Sequence, residues 1–228
     1  MIRIFWYKDS RLQDRNLRKA IRLQVTEKIL KNQLGLSNEQ TLTINRHERG
    51  KPYLPAHPGL HFNQSDSGEW MVIGTASSEI GIDIEKIRPR PYDALLNRWF
   101  LPEERLAVEA VQRKQPEKSL TEFIRLWTCK ESILKYIGCG LGAELQQHPV
   151  LFETDAESRQ RIPYGEYQGR RLAFYSRILS AQGHGGKSIT YAPAHAATGD
   201  FILSLCFEAT QPCPEIQETF LPGTFLEQ

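Results

Sequence analysis

Long apolar runs are missing from this chain. Every hydrophobic stretch is broken by charge within a few residues, so no segment qualifies as a membrane span. Residues 1–8 carry no small-residue cleavage pattern of a signal peptide, and a cytoplasmic location without a membrane partner is expected. Cysteine is scarce and unpatterned: Cys129, Cys139, Cys206 and Cys213 form no Cys-x-x-Cys pair, which argues against a zinc knuckle or a disulfide framework and leaves reduced thiols. An excess of one charge is absent too. The 29 Lys and Arg against 27 Asp and Glu leave a net +2, too little for the basic surface that broad nucleic-acid binding uses. What remains is ordinary globular composition, 40% hydrophobic and 25% charged over 228 residues, enough for one sizeable core or two fused small ones.

Residues 2–7 are β-branched and aromatic and read as an opening strand. A helix follows over 12–34, with Leu12, Ile21, Val25, Ile29 and Leu30 as its buried stripe and Gly35 as its C-terminal cap. Its early turns carry Arg11, Arg15, Arg18, Lys19 and Arg22, either a solvated face or a landing surface for an anion or acidic partner. Strands are expected at 41–45, 60–64, 70–76 and 80–87, then helices at 92–100, 102–112 and 120–137. Further strands are expected at 171–178, 188–191 and 201–207, with a flexible glycine-rich loop at 182–187. A helix followed by several strands occurs twice, which allows two similar halves.

The strand at Ile80-Gly81-Ile82-Asp83-Ile84-Glu85 organises the reading. Alternation sends the three isoleucines into a core and puts Gly81, Asp83 and Glu85 on the opposite face. Two carboxylates two residues apart on one face repel unless a cation lies between them, and oxygen ligands suit Mg²⁺ or Mn²⁺ rather than zinc. The alternative is an edge strand with a solvated outer face.

In the 120–137 helix, Leu120, Ile124, Trp127 and Leu134 set a buried face, and Glu131 falls on it. A carboxylate there needs a partner: either Lys135 one turn on, or a metal. Asp83, Glu85 and Glu131 with Lys135 make the minimum kit for phosphoryl transfer, and the turn with Arg46, Arg49, Gly50 and Lys51 supplies anion-binding groups beside it.

Four segments, in order and spacing, resemble the motifs of the 4′-phosphopantetheinyl transferases of the surfactin-synthetase-activating (Sfp) type: Gly50-Lys51-Pro52, Phe62 to Gly68, Gly81 to Lys86, and Trp127 to Lys135. The resemblance runs from about Gly50 to Leu141. It implies an α+β monomer of two pseudosymmetric halves, 1–99 and 100–228, each a small antiparallel sheet on a long helix, with a cofactor cleft between them. It implies Mg²⁺-dependent (or Mn²⁺-dependent) transfer of the phosphopantetheine arm of coenzyme A to a serine of an acidic acyl, peptidyl or polyketide carrier protein, releasing adenosine 3′,5′-bisphosphate. Carried over by position, Asp83, Glu85 and Glu131 hold the metal, and Glu131 or a water on the metal takes the serine proton. Lys135 steadies the phosphate oxygens, while Arg18, Arg49, Lys51, Pro52, Ser65 and Asp66 bind coenzyme A. Glu104 matches a further acidic position that holds a water of the metal.

Two departures stand out. Asp66 occupies the position where the family pattern has histidine, and an ionised aspartate accepts hydrogen bonds where histidine donates. Asp66 can turn away, join the metal shell or weaken coenzyme A binding; the expectation is that it joins the metal shell. Cys139 stands where many relatives carry lysine. The rival reading is a non-catalytic module for coenzyme A or carrier protein, inactivated by Asp66.

Overall fold

A computed structural model describes residues 1–139, 144–154, 161–180, 188–189 and 199–227. The first strand, β1 (Ile2–Lys8), leads through a 3-10 turn at Ser10–Gln13 into α1 (Arg15–Leu34). Asp14 separates the two: its backbone is extended and its side chain caps the amide of Asn16, so α1 starts later than the apolar stripe alone suggests. All five expected stripe residues are buried, and Gly35 closes the helix with φ 67°.

Next come β2 (Asn45–Arg46), β3 (Pro52–Tyr53), β4 (His61–Ser67), β5 (Trp70–Ala76) and β6 (Ile80–Lys86). The strand expected at 41–45 shrinks to the two residues of β2, paired only with β3. Helices α2 (Asp93–Trp99), α3 (Pro102–Lys114), α4 (Ser119–Ile137) and α5 (Glu144–Gln147) follow, then β7 (Leu151–Thr154), β8 (Arg161–Tyr167), β9 (Arg170–Leu179), β10 (Ser188–Ile189), β11 (Phe201–Glu208) and β12 (Ile216–Phe220). The loop expected at 182–187 and the end of the strand expected at 188–191 lie outside the described residues.

The fold is α+β, built as four layers. One sheet runs β12-β1-β5-β4 and the other β6-β11-β9-β8-β7, with β10 on β9. Alternation assigns each face. On β1, Phe5 and Tyr7 join Ile21, Val25 and Ile29 of α1, while Ile2, Ile4 and Trp6 meet Ile80, Ile82 and Ile84 of β6 and Leu203 and Leu205 of β11. The far face of the second sheet, through Ile202, Cys206 and Phe174, packs on Ile124, Cys129 and Ile133 of α4. Each sheet therefore rests on one long helix, as expected. The strands do not respect the break at residue 99, however: β6 lies in the second sheet, and β12 returns to the first, where it pairs with β1 in parallel.

Helix α4 is buried nearly all round, wider than the four-residue stripe the sequence predicts. It is covered by the second sheet on one side and by Phe100, Ala107 and Val108 of the α2–α3 region on the other. Its approach to β6 depends on Gly81: a Cβ there would stand 1.9 Å from the Ser132 carbonyl oxygen and 2.4 Å from the Tyr136 nitrogen. Glycine at this place brings Glu131 and Lys135 down onto Asp83.

Candidate active site

The site forms where β4, β6 and α4 meet. Pairing of β4 with β5 in register puts Asn63, Ser65 and Ser67 on one face of β4 and Gln64 and Asp66 on the other. Ser65 Oγ donates to Asp83 Oδ1 at 2.8 Å, and Ser67 Oγ donates to Glu85 Oε2 at 3.3 Å. Asn63 joins all three elements: its Oδ1 accepts from the Ile82 amide at 3.4 Å and its amide donates to the Lys135 carbonyl at 3.5 Å. From α4, Lys135 Nζ donates to Asp83 Oδ1 at 2.6 Å and to Ser65 Oγ at 2.8 Å. Lys135 thus pairs with Asp83, not with Glu131 one turn before it.

Three carboxylates share this corner with one ammonium. Burial first, then the Asp83 charge, pushes the Glu131 carboxyl up to about 7, with Glu85 adding and Lys135 opposing. Burial and Asp83 also raise Glu85, opposed chiefly by Arg90. Asp83 Oδ2 and Glu131 Oε1 are both buried without a hydrogen-bond partner. Two orphaned carboxylate oxygens in a net negative corner fit a hard cation. Among the described residues no three His, Cys, Asp or Glu side chains converge as the ligands of a bound ion do; Asp83 Oδ1 is taken by Lys135 instead.

Asp66 faces α1. Its Oδ1 lies 2.8 Å from Arg22 Nη1 and its Oδ2 3.6 Å from Arg18 Nε. The alternation of β4 puts it on the strand face opposite Asn63, Ser65 and Ser67, where its partners are the arginines of α1, and it shares a cavity with Glu85. Arg18 also donates to the Leu12 carbonyl at 2.7 Å.

Arg22, Arg49, Lys51, Pro52, Lys135 and Cys139 line one cavity on the Gly81 side of the carboxylates. Lys51 is already engaged there: its ammonium bonds to Glu79 and to the Tyr136 carbonyl, the latter at 2.6 Å, at the C-terminal end of α4. Burial lowers its pKa and Glu79 opposes the shift. Glu104 is not beside the carboxylates. It is 1% exposed, its two oxygens stand 2.6 and 2.8 Å from Lys130 Nζ, and it accepts from the Leu101 and Val150 amides. That fully buried ion pair anchors α3 to α4 and corrects the metal-water role expected for Glu104.

Sequence reasoning gave no role to Asn63 or Lys130, and named Arg22 only within the basic run on the early turns of the first helix. Arg22 carried a signal, since it follows Arg18 by one helical turn. Lys130 carried no local signal, since it stands in a mixed stretch of α4 between Thr128-Cys129 and Glu131-Ser132.

Residues 79–192 match the family model of the 4′-phosphopantetheinyl transferase superfamily, half of the chain, and the match contains β6 and α4 with Asp83, Glu85, Glu131 and Lys135. A 4′-phosphopantetheinyl transferase of Bacillus subtilis is 41% identical over 118 residues, 52% of this chain and 51% of that protein. The Sfp transferase of Bacillus subtilis is 32% identical over 126 residues, 55% of this chain and 54% of that protein. HetI of a Nostoc strain, also a 4′-phosphopantetheinyl transferase, is 33% identical over 144 residues, 61% of this chain and 59% of that protein. The chain spans about half the length of these relatives. With the matched half carrying the corner of carboxylates and lysine, the chain belongs to the 4′-phosphopantetheinyl transferase superfamily.

Proposed function

We propose that this protein transfers the phosphopantetheine arm of coenzyme A to a serine hydroxyl of an acyl, peptidyl or polyketide carrier protein, releasing adenosine 3′,5′-bisphosphate. The observation that carries the reading is the pair of buried, unpartnered oxygens, Asp83 Oδ2 and Glu131 Oε1, beside the Lys135 ammonium. Asp83, Glu85 and Glu131 would hold a divalent ion, Mg²⁺ or Mn²⁺, which supplies positive charge to the phosphate oxygens. The chain's own residues do the rest. Lys135, at the edge of the Arg49–Pro52 cavity, donates to phosphate oxygens as charge shifts toward the departing nucleotide. Glu131, held near neutral pKa by burial, holds the proton that leaves the serine as the serine oxygen–phosphorus bond forms and the bond to the bisphosphate breaks.

Arg49, Pro52 and the stem of Lys51 line the nucleotide end, with Arg22 at its α1 side, while Arg18, one turn earlier on α1, lines the cavity beside Glu85. Asp66 neutralises part of the charge of those two arginines, which weakens their hold on phosphate and leaves Ser65, Asp83 and Lys135 in place. That favours an enzyme with reduced coenzyme A affinity over an inactive module. We further propose a monomer whose halves, 1–99 and 100–228, exchange edge strands, working in the cytoplasm on an acidic carrier. No helix among the described residues is long and apolar enough to cross a membrane. The test is intact-mass spectrometry of apo acyl, peptidyl and polyketide carriers incubated with this protein, coenzyme A and Mg²⁺. A gain of one phosphopantetheine supports the reading; no gain on any carrier refutes it.

A further inference from the structure

A second cavity, about 430 Å³, opens at the other end of the carboxylate row, lined by Arg18, Ser67, Glu85, Lys86, Arg88 and Arg90. Along β6 the order runs Gly81, Asp83, Glu85, Lys86. The cavity with Arg49 and Pro52 reaches the row at Lys135, and this one reaches it at Glu85. A reaction between two large substrates needs two approaches to one centre, and the nucleotide takes the first.

The cations of the second cavity differ in what they have left to give. Arg18 is held by Leu12 and Asp66. Lys86 bonds to Glu69 at 3.1 Å and lies over the Phe201 ring. Arg90 has Nε and Nη2 buried without a hydrogen-bond partner, its guanidinium 5.6 Å from the centre of the Phe123 ring. Unpaired guanidinium donors inside a protein are costly, and an incoming acceptor oxygen removes that cost.

We infer that Arg90, assisted by the exposed Arg88, binds a carboxylate of the carrier protein beside its acceptor serine, and so positions that serine. This rests on the transfer reading above. The planar fork of Arg90 matches a carboxylate in bidentate fashion. A single negative charge suits this end of the row better than a phosphate dianion, because Glu85 and Asp66 face the same cavity.

The test is steady-state transfer to an apo acyl carrier protein, with coenzyme A and Mg²⁺, by wild type, Arg90→Gln, Arg90→Lys and the equal-charge control Arg3→Gln. Arg90→Gln raises the carrier KM about tenfold, the weight of a charge-assisted hydrogen bond, while the coenzyme A KM stays within about twofold. Arg90→Lys, which keeps the charge and loses the fork, falls between. Arg3→Gln changes neither. With a carrier whose acidic residues flanking the serine are amides, wild type and Arg90→Gln become equal. The melting temperature of Arg90→Gln falls by a few degrees at most, since Nε and Nη2 made no hydrogen bond and the loss is confined to contacts such as that with the Phe123 ring. An unchanged carrier KM in an active Arg90→Gln overturns the inference and leaves the transfer reading standing. A rise in the coenzyme A KM instead assigns the cavity to the donor, and an equal loss in Arg3→Gln reduces the effect to overall charge; either overturns it. No transfer by wild type to any carrier removes the inference together with the reading beneath it.

Discussion

Lys135 Nζ lies 2.6 Å from Asp83 Oδ1, while the other oxygen of the same carboxylate is buried without a partner. The two oxygens of one carboxylate thus differ: one fixes the Lys135 ammonium, and the other is left unpaired, as the proposed cation site requires. The close approach of α4 to β6 over Gly81 makes the arrangement possible.

Replacing Lys135 with methionine strands Asp83 among Ser65 and two other carboxylates. The expected loss is about 1–3 kcal/mol of stability, the cost of an unmatched buried acceptor, read by urea denaturation. Adding Asp83→Asn restores most of it, because the charge is then gone; transfer stays abolished in both.

The raised pKa of Glu131 gives stability a pH dependence with a definite sign. The folded protein holds this proton up to about 7 against 4.5 for the free side chain. The stabilisation is complete below the lower value and is lost as pH rises through the upper one, by up to about 3 kcal/mol. In EDTA, wild type therefore loses stability relative to Glu131→Gln between these pH values, as read by chemical denaturation. Millimolar Mg²⁺ removes the difference in slope, because the ion stabilises the ionised form.

The buried Glu104–Lys130 pair predicts asymmetry. Lys130→Met leaves Glu104 charged and buried and costs about 3–5 kcal/mol. The double variant Lys130→Met with Glu104→Gln recovers part of that in thermal melts, since residue 104 no longer carries a charge; the Leu101 and Val150 amides bond to different oxygens of Glu104, and the single amide oxygen of glutamine serves only one of them.

Asp66→Asn releases Arg18 and Arg22 from a carboxylate. The expected result is a lower KM for coenzyme A by about twofold to fivefold, the weight of a partly exposed ion pair, with the carrier KM unchanged, measured by initial rates. An unchanged coenzyme A KM would remove Arg18 and Arg22 from the donor site.

Much of this fold was legible because its elements follow a period. The alternation of Ile80, Ile82 and Ile84, the stripe of α1 and the cap at Gly35 each state their structure locally. Strands β7, β8 and β12 were missed: β7 is only four residues long, β8 is interrupted by Pro163 and Gly165 although just Gln168-Gly169 separates it from β9, and polar β12 is held by parallel pairing with distant β1. For the site, the carboxylates and Lys135 were readable by type, whereas their partners were not. Asp66 turning to α1, Lys51 binding the end of α4 and Glu104 meeting Lys130 all depend on which elements pack together, which no local pattern encodes.

The central claim is that the carboxylate and lysine corner performs the transfer. Its most direct test is the initial rate of phosphopantetheine transfer to an apo carrier by wild type and Glu131→Gln, each shown to be folded by circular dichroism. The account predicts a loss of at least about a hundredfold in kcat, the usual weight of a proton-transfer group, with a normal fold. A folded Glu131→Gln that retains wild-type kcat would contradict it.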